Sequence, residues 1–130
     1  MSTVKRKILI VDDEEELLTA LGIRLELMNF QVVKAGTARE TFGKISSEKP
    51  DLIVLDIHLP GINGIEICDV LKKDPETAQT PIIFLTASSD RLTEMRALEA
   101  GGFSFLTKPL DPVLFQAKIK EAFAKKSLPT

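Results

Sequence analysis

The chain reads as a single α/β domain, an open parallel sheet with helices on both faces. Three observations predict this. Short apolar runs with β-branched residues alternate with longer stretches of helical spacing. Three of the runs are apolar almost throughout, the pattern of strands buried on both faces of a parallel sheet. The segments between them carry helix start and stop residues, so five strand–helix units follow one another.

The first strand is KILIVD (7–12), followed by Leu17, Leu18, Leu21, Leu25 and Met28 at helical spacing up to a stop at Asn29, with Gly22 an exception inside that helix. FQVVKA (30–35) is the second strand, and Thr37-Ala38-Arg39-Glu40 after it fits a capping box. DLIVLD (51–56) is the third, ending in an acidic residue before a turn built around Pro60 and Gly61. PIIFLT (81–86) is the fourth, and the helix that follows should end at Gly101-Gly102. FSFLTK (103–108) is the fifth. Asp111-Pro112 then fits an N-cap with proline in the first turn of a last helix bearing Phe115, Ile119, Ala122 and Phe123. The expected domain runs over 1–126, with 127–130 a tail or the start of a linker; KKSLPT (125–130) looks loose.

Composition narrows the function classes. A chain of 130 residues, 44% hydrophobic and 28% charged, can bury a real core. Its net charge of −2 gives no electrostatic case for nucleic-acid binding. Lys5, Arg6 and Lys7 read as a solvated start. No apolar run approaches the ~20 residues of a membrane span, and no signal-peptide core is present, so a cytoplasmic address is expected. Cys68 is the only cysteine, which excludes an internal disulfide and leaves it as a small packing residue.

In such sheets ligands bind outside the carboxyl ends of the strands, near the point where strand order reverses. The first strand ends in Asp12 and Asp13, the third in Asp56, the fourth in Thr86 and the fifth in Lys108 followed by Pro109. Three carboxylates, a hydroxyl and an ammonium therefore converge on one edge. The carboxylates would repel one another, and one would take up a proton, unless a cation intervened. A hard divalent ion such as Mg²⁺ accepts one or two of them and leaves positions for water and phosphate oxygen. Such a site suits a phosphoryl group, and a carboxylate can itself be the nucleophile. Asp56 is the central candidate.

Each residue also has a plainer reading. Asp13 with Glu16 fits a capping box, and Glu14, Glu15 and Glu16 favour a helix N-terminus. Asp56 alone could form a turn, Thr86 alone could be a β-branched strand residue, and Lys108 alone could be a surface lysine. The functional reading rests on their joint arrival at one edge. His58, the only histidine, lacks a second histidine or thiolate to complete a softer metal site. Its backbone carbonyl, two residues after Asp56, can face a metal.

ILIVDDE, LIVLDIHLPGINGIE, PIIFLTA and GGFSFLTKPLD, in this order and at these separations, resemble the receiver domain of bacterial two-component response regulators from about Lys5 to Lys126. The resemblance implies a flavodoxin-like (βα)5 fold with strand order 2-1-3-4-5. It implies that Asp56 accepts a phosphoryl group from a phosphohistidine on a sensor histidine kinase or phosphotransfer protein. Asp13, Asp56 and the His58 carbonyl would ligate Mg²⁺, for which Mn²⁺ can substitute, with Asp12 helping through water. Lys108 would pair with a phosphate oxygen, and its peptide bond to Pro109 would be cis. Thr86 would donate its hydroxyl and Ala87 its backbone N–H. Thr86 would then draw Phe105 inward, reshaping the face made by the fourth helix, fifth strand and fifth helix toward a downstream protein target.

Phe105 stands where the family often has tyrosine, and Phe103 where a small or acidic residue is usual. The two are expected on the same side of an edge strand, as local packing or as an apolar contact for a partner or second copy. Asn63 replaces a frequent aspartate with little expected effect. The competing classes are a phosphatase of the haloacid-dehalogenase type, which would need an aspartate where His58 stands, and a phosphorylation-independent docking module. Within the receiver reading the chain acts as a phosphoacceptor switch without a separate substrate, either alone or as the receiver of a longer regulator.

Overall fold

The computed structural model describes residues 5–87 and 90–127. Five strands, β1 (Lys7–Val11), β2 (Gln31–Ala35), β3 (Leu52–Asp56), β4 (Ile82–Thr86) and β5 (Ser104–Thr107), form one parallel sheet in the order 2-1-3-4-5. Five helices connect and follow them: α1 (Glu15–Leu27), α2 (Ala38–Glu48), α3 (Gly64–Lys73), α4 (Arg91–Glu99) and α5 (Pro112–Ser127). The expected fold is the one observed. Strand ends lie within a residue of those read from the sequence.

Strand alternation divides the core into two layers. Leu9, Val11, Ile53, Leu55, Ile82 and Phe84 face Ile45 of α2, Ile67, Cys68 and Leu71 of α3, and Ala97 of α4. Ile8, Ile10, Leu52, Val54, Ile83 and Leu85 face Leu18, Leu21 and Leu25 of α1 and Phe115, Ile119 and Phe123 of α5. Both faces of the three central strands are thus covered, which is why they read as continuous apolar runs. Cys68 is buried, as a packing residue should be. The helices are held unequally: α4 buries only Ala97 and leaves Leu92, Met95 and Leu98 exposed.

Local signals explain most boundaries. Thr37 accepts the backbone N–H of Glu40 at 3.1 Å, the predicted cap of α2. Asn29 (φ 71°) and Gly101 (φ 107°) take the left-handed conformation at helix ends. Pro60 and Gly61 join a two-residue ladder, His58–Leu59 with Ile62–Asn63, and Gly61 at φ 81° supplies the turn's positive φ. Gly22 sits where the Lys34 side chain of β2 crosses α1; a β-carbon there would come within 2.9 Å of Lys34 Cε.

Four expectations need correction. The plainer reading of Asp13 and Glu16 as a capping box does not hold: α1 starts at Glu15, and Glu14 is the N-cap, with no side-chain cap. Phe103 and Phe105 do not share a side. Phe103 precedes β5, outside the strand's alternation, and packs on the α1/α5 layer, while Phe105, paired with Phe84, packs on the other. A single apolar face made by both is therefore not present. The basic start is not simply solvated, since Lys7 pairs with Glu48 at 3.0 Å and Arg6 lies 4.5 Å above the Phe123 ring. Finally, α5 runs on to Ser127 and absorbs part of the tail expected to be loose; residues 128–130 lie outside the described residues.

Candidate acidic metal and phosphoryl site

Strand order reverses at β1, which has β2 on one side and β3 on the other, so the residues ending β1 and β3 meet at the crevice. Asp12 directly follows β1 and is fully buried; Asp56 is the last residue of β3 and is also buried; Asp13 is exposed at the rim. Their carboxylate oxygens lie within 4.8 Å of one another. At that spacing two full charges repel by about 3–4 kcal/mol at an effective dielectric of about 20. Lys108, just past β5, reaches Asp12 and Asp56 with its ammonium, and Thr86 is buried at the end of β4, the strand beside β3. Four of the five residues picked from strand ends, Asp12, Asp13, Asp56 and Lys108, are thus brought together, and Thr86 ends the adjoining strand.

The local backbone explains why the carboxylates point where they do. Asp12 Oδ1 accepts the N–H of Glu14 at 2.9 Å, and Asp56 Oδ1 accepts the N–H of His58 at 3.1 Å, each an aspartate folding back on the chain two residues on. The His58 ring is exposed. The Lys108–Pro109 bond is cis, as the resemblance implied. Ala87 follows Thr86 at the rim, and Phe105 is half-buried beside the core.

The Lys108 ammonium is 2.7 Å from Asp12 Oδ2, 3.2 Å from Glu14 Oε1 and 3.5 Å from Asp56 Oδ2. Burial works against the charged lysine, but the contacts with Asp12, Asp56 and Glu14 prevail and push its pKa up. Burial pushes the Asp56 carboxyl above the ordinary carboxylate range; the His58 N–H opposes this, the Asp12 charge adds to it, and Lys108 pulls back. One ammonium does not satisfy the site. Asp12 Oδ2 is buried and is met by the Lys108 ammonium, which it shares with Glu14 and Asp56. An oxygen-rich cluster of three aspartates with one shared ammonium fits a hard divalent cation.

Two residues of the site escaped the sequence reading. Glu14 was assigned to the helix N-terminus, yet its side chain reaches Lys108 across 94 positions. Gly64 begins α3 against β3, where any β-carbon would collide with the Asp56 carbonyl oxygen. The Asn63-Gly64 pair was the available signal: Asn63 caps α3 through the Ile65 N–H at 2.7 Å, and the residue after it must be small.

The site and sheet define a doubly wound α/β domain with an acidic pocket at its switch point. The response regulator receiver domain family matches residues 8–120, and the chain belongs to that family. The alkaline phosphatase synthesis transcriptional regulatory protein PhoP of Bacillus subtilis is 39% identical over 117 residues, covering 90% of this chain and 48% of that protein. A two-component response regulator from Clostridium difficile superposes with a TM-score of 0.89 at 30% identity, over 95% of this chain and 100% of that one. The BeF3-activated N-terminal receiver domain of Klebsiella pneumoniae RstA does so with a TM-score of 0.83 at 30% identity, over 90% and 97%. The chain spans about half the length of the first curated relatives it matches. Its acidic cluster stands at the phosphoaccepting site of receiver domains, and no helix among the described residues is long and apolar enough to cross a membrane.

Proposed function

We propose that the chain is a phosphorylation-activated signalling switch in which Asp56 is the phosphoacceptor, supplied by the phosphohistidine of a sensor kinase or phosphotransfer protein. One observation carries this reading: a buried carboxylate at the end of the central strand faces an ammonium at 3.5 Å and two further carboxylates within 4.8 Å. An Asp56 oxygen forms the bond to phosphorus as the donor's P–N bond breaks, and that electron pair returns to the imidazole. Asp13, Asp56 and the His58 carbonyl would hold Mg²⁺ or Mn²⁺, with Asp12 acting through water. When bound, the ion neutralises charge on the carboxylates and on the phosphoryl oxygens.

The remaining roles belong to the chain itself. Lys108 meets one phosphoryl oxygen with its ammonium, Thr86 donates its hydroxyl to another, and the Ala87 N–H adds a third donor. Thr86 ends β4, and Phe105 on β5 lies two positions before Thr107, the ladder partner of Thr86, and so on the same side of the strand; a shift of Thr86 toward the phosphoryl group frees space that the Phe105 ring can enter. The output is a changed surface over α4, β5 and α5, read by a downstream protein.

Intact-mass measurement after incubation with acetyl phosphate and Mg²⁺ tests this. The expected result is a gain of one phosphoryl group that disappears in Asp56→Asn and after chelation. A gain that persists in Asp56→Asn, or none in the folded parent chain with acetyl phosphate or several histidine kinases, would overturn it.

A further inference from the structure

The helices differ in how they begin. Thr37, Asn63 and Asp90 each cap their helix by accepting a backbone N–H two or three residues on. Glu14 occupies the same position at α1 and caps nothing with its side chain. Its carboxylate is turned instead to Lys108, at 3.2 Å, while its own backbone N–H donates to Asp12 Oδ1 at 2.9 Å. One residue thus touches both members of the closest ion pair in the crevice.

The distances give this contact a function. The Lys108 side chain is 16% exposed, and its ammonium lies between the buried carboxylates and Glu14, whose side chain is 62% exposed at the rim. Without the outer carboxylate, the ammonium would be shared by Asp12 and Asp56 alone. It would move closer to Asp56 and neutralise it as it already does Asp12, competing with a divalent ion for the Asp56 oxygens. With it, the ammonium is held between Asp12 Oδ2 at 2.7 Å and Glu14 Oε1 at 3.2 Å and stands 3.5 Å from Asp56 Oδ2, outside tight contact.

We propose that Glu14 is a positioning residue for Lys108: together with Asp12 it holds the ammonium off Asp56 and so keeps the Asp56 carboxylate available to a divalent cation. The proposal deepens the reading of this crevice as a metal-assisted phosphoacceptor site and rests on it.

The experiment is a Mg²⁺ titration followed by calorimetry or amide chemical shifts, in Glu14→Gln, Glu14→Asp and Glu16→Gln. Glu16 is an exposed acid of the same turn that pairs with no cation among the described residues. Glu14→Gln should weaken Mg²⁺ binding by about two- to fivefold, the range of one partly exposed ion pair. Glu14→Asp keeps the charge but is a methylene too short for the contact, so it should weaken binding nearly as much. Glu16→Gln, acting only through the screened field, should change it by less than about 1.5-fold. In a Lys108→Met background the effect of Glu14→Gln should fall to that of Glu16→Gln. A Glu14→Asp chain that binds like the parent, or a Glu14→Gln effect that persists without Lys108, would overturn the proposal. Parallel intact-mass runs separate the two claims. A parent chain that gains no phosphoryl group refutes the phosphoacceptor reading, and one that gains it while Glu14→Gln and Glu16→Gln bind Mg²⁺ alike refutes only the role of Glu14.

Discussion

The two edges of the sheet carry similar residues in opposite electrostatic states. At the amino-terminal edge the Lys7 backbone N–H donates to Asp51 Oδ2 at 2.8 Å, and its ammonium meets Glu48 Oε1 and the Glu48 carbonyl, each at 3.0 Å. At the carboxyl edge a single ammonium serves Asp12, Glu14 and Asp56, with Asp13 beside them. The hydrogen bond and charge of Lys7 pull the Glu48 carboxyl below the ordinary range, while burial pushes Asp56 above it. One ammonium against two carboxylates closes the first edge as structure; one against four leaves the other edge able to bind a cation.

Substitutions can break that contrast. The largest effect on stability should come from Gly64→Ala, which drives a methyl group into the Asp56 carbonyl; overpacking of this kind costs about 2–3 kcal/mol, readable by urea denaturation. Next, neutralising one acid at each edge should give opposite signs. Asp12→Asn should raise stability by about 1 kcal/mol without divalent ions, by relieving repulsion at a buried site. Asp51→Ala should lower it by about 1 kcal/mol through loss of the bond from Lys7. If both changes destabilise equally, the carboxyl edge holds no surplus charge.

The smallest effect is a pair of pH slopes, measured without divalent ions. Asp56 keeps its proton in the folded state at pH values where the unfolded chain has lost it. Its contribution to stability is full below the unfolded value and lost as pH rises through the raised one. Glu48 behaves oppositely, contributing above its unfolded value and losing that contribution as pH falls through the lowered one. Denaturation series of Asp56→Asn and Glu48→Gln against the parent should therefore diverge in opposite directions. Parallel curves would mean that the two edges are alike.

Much of this was legible before any coordinates. Strand-terminal residues are conspicuous because an apolar run must end, and Asp12, Asp56, Thr86 and Lys108 each follow or close one. Sheet topology then gathers strand ends without regard to side-chain detail. What stayed hidden depends on direction rather than order. Glu14 looked like a helix-favouring acid because nothing local marks a side chain that turns to a residue far along the chain. The opposed placement of Phe103 and Phe105 followed from where β5 starts, a boundary shifted by one residue. Gly64 was silent because close backbone approach leaves no mark beyond the glycine itself.

The uneven hold on the helices has a consequence in time. Releasing α4 uncovers one buried alanine, whereas releasing α5 would uncover Phe115, Ile119 and Phe123. Segments with little buried apolar area open locally at far lower free energy than the whole domain. Amide hydrogens of Arg91–Glu99 should accordingly exchange with deuterium well before those of β1, β3 and β4, so the molecule can rearrange one wall repeatedly while its sheet never opens.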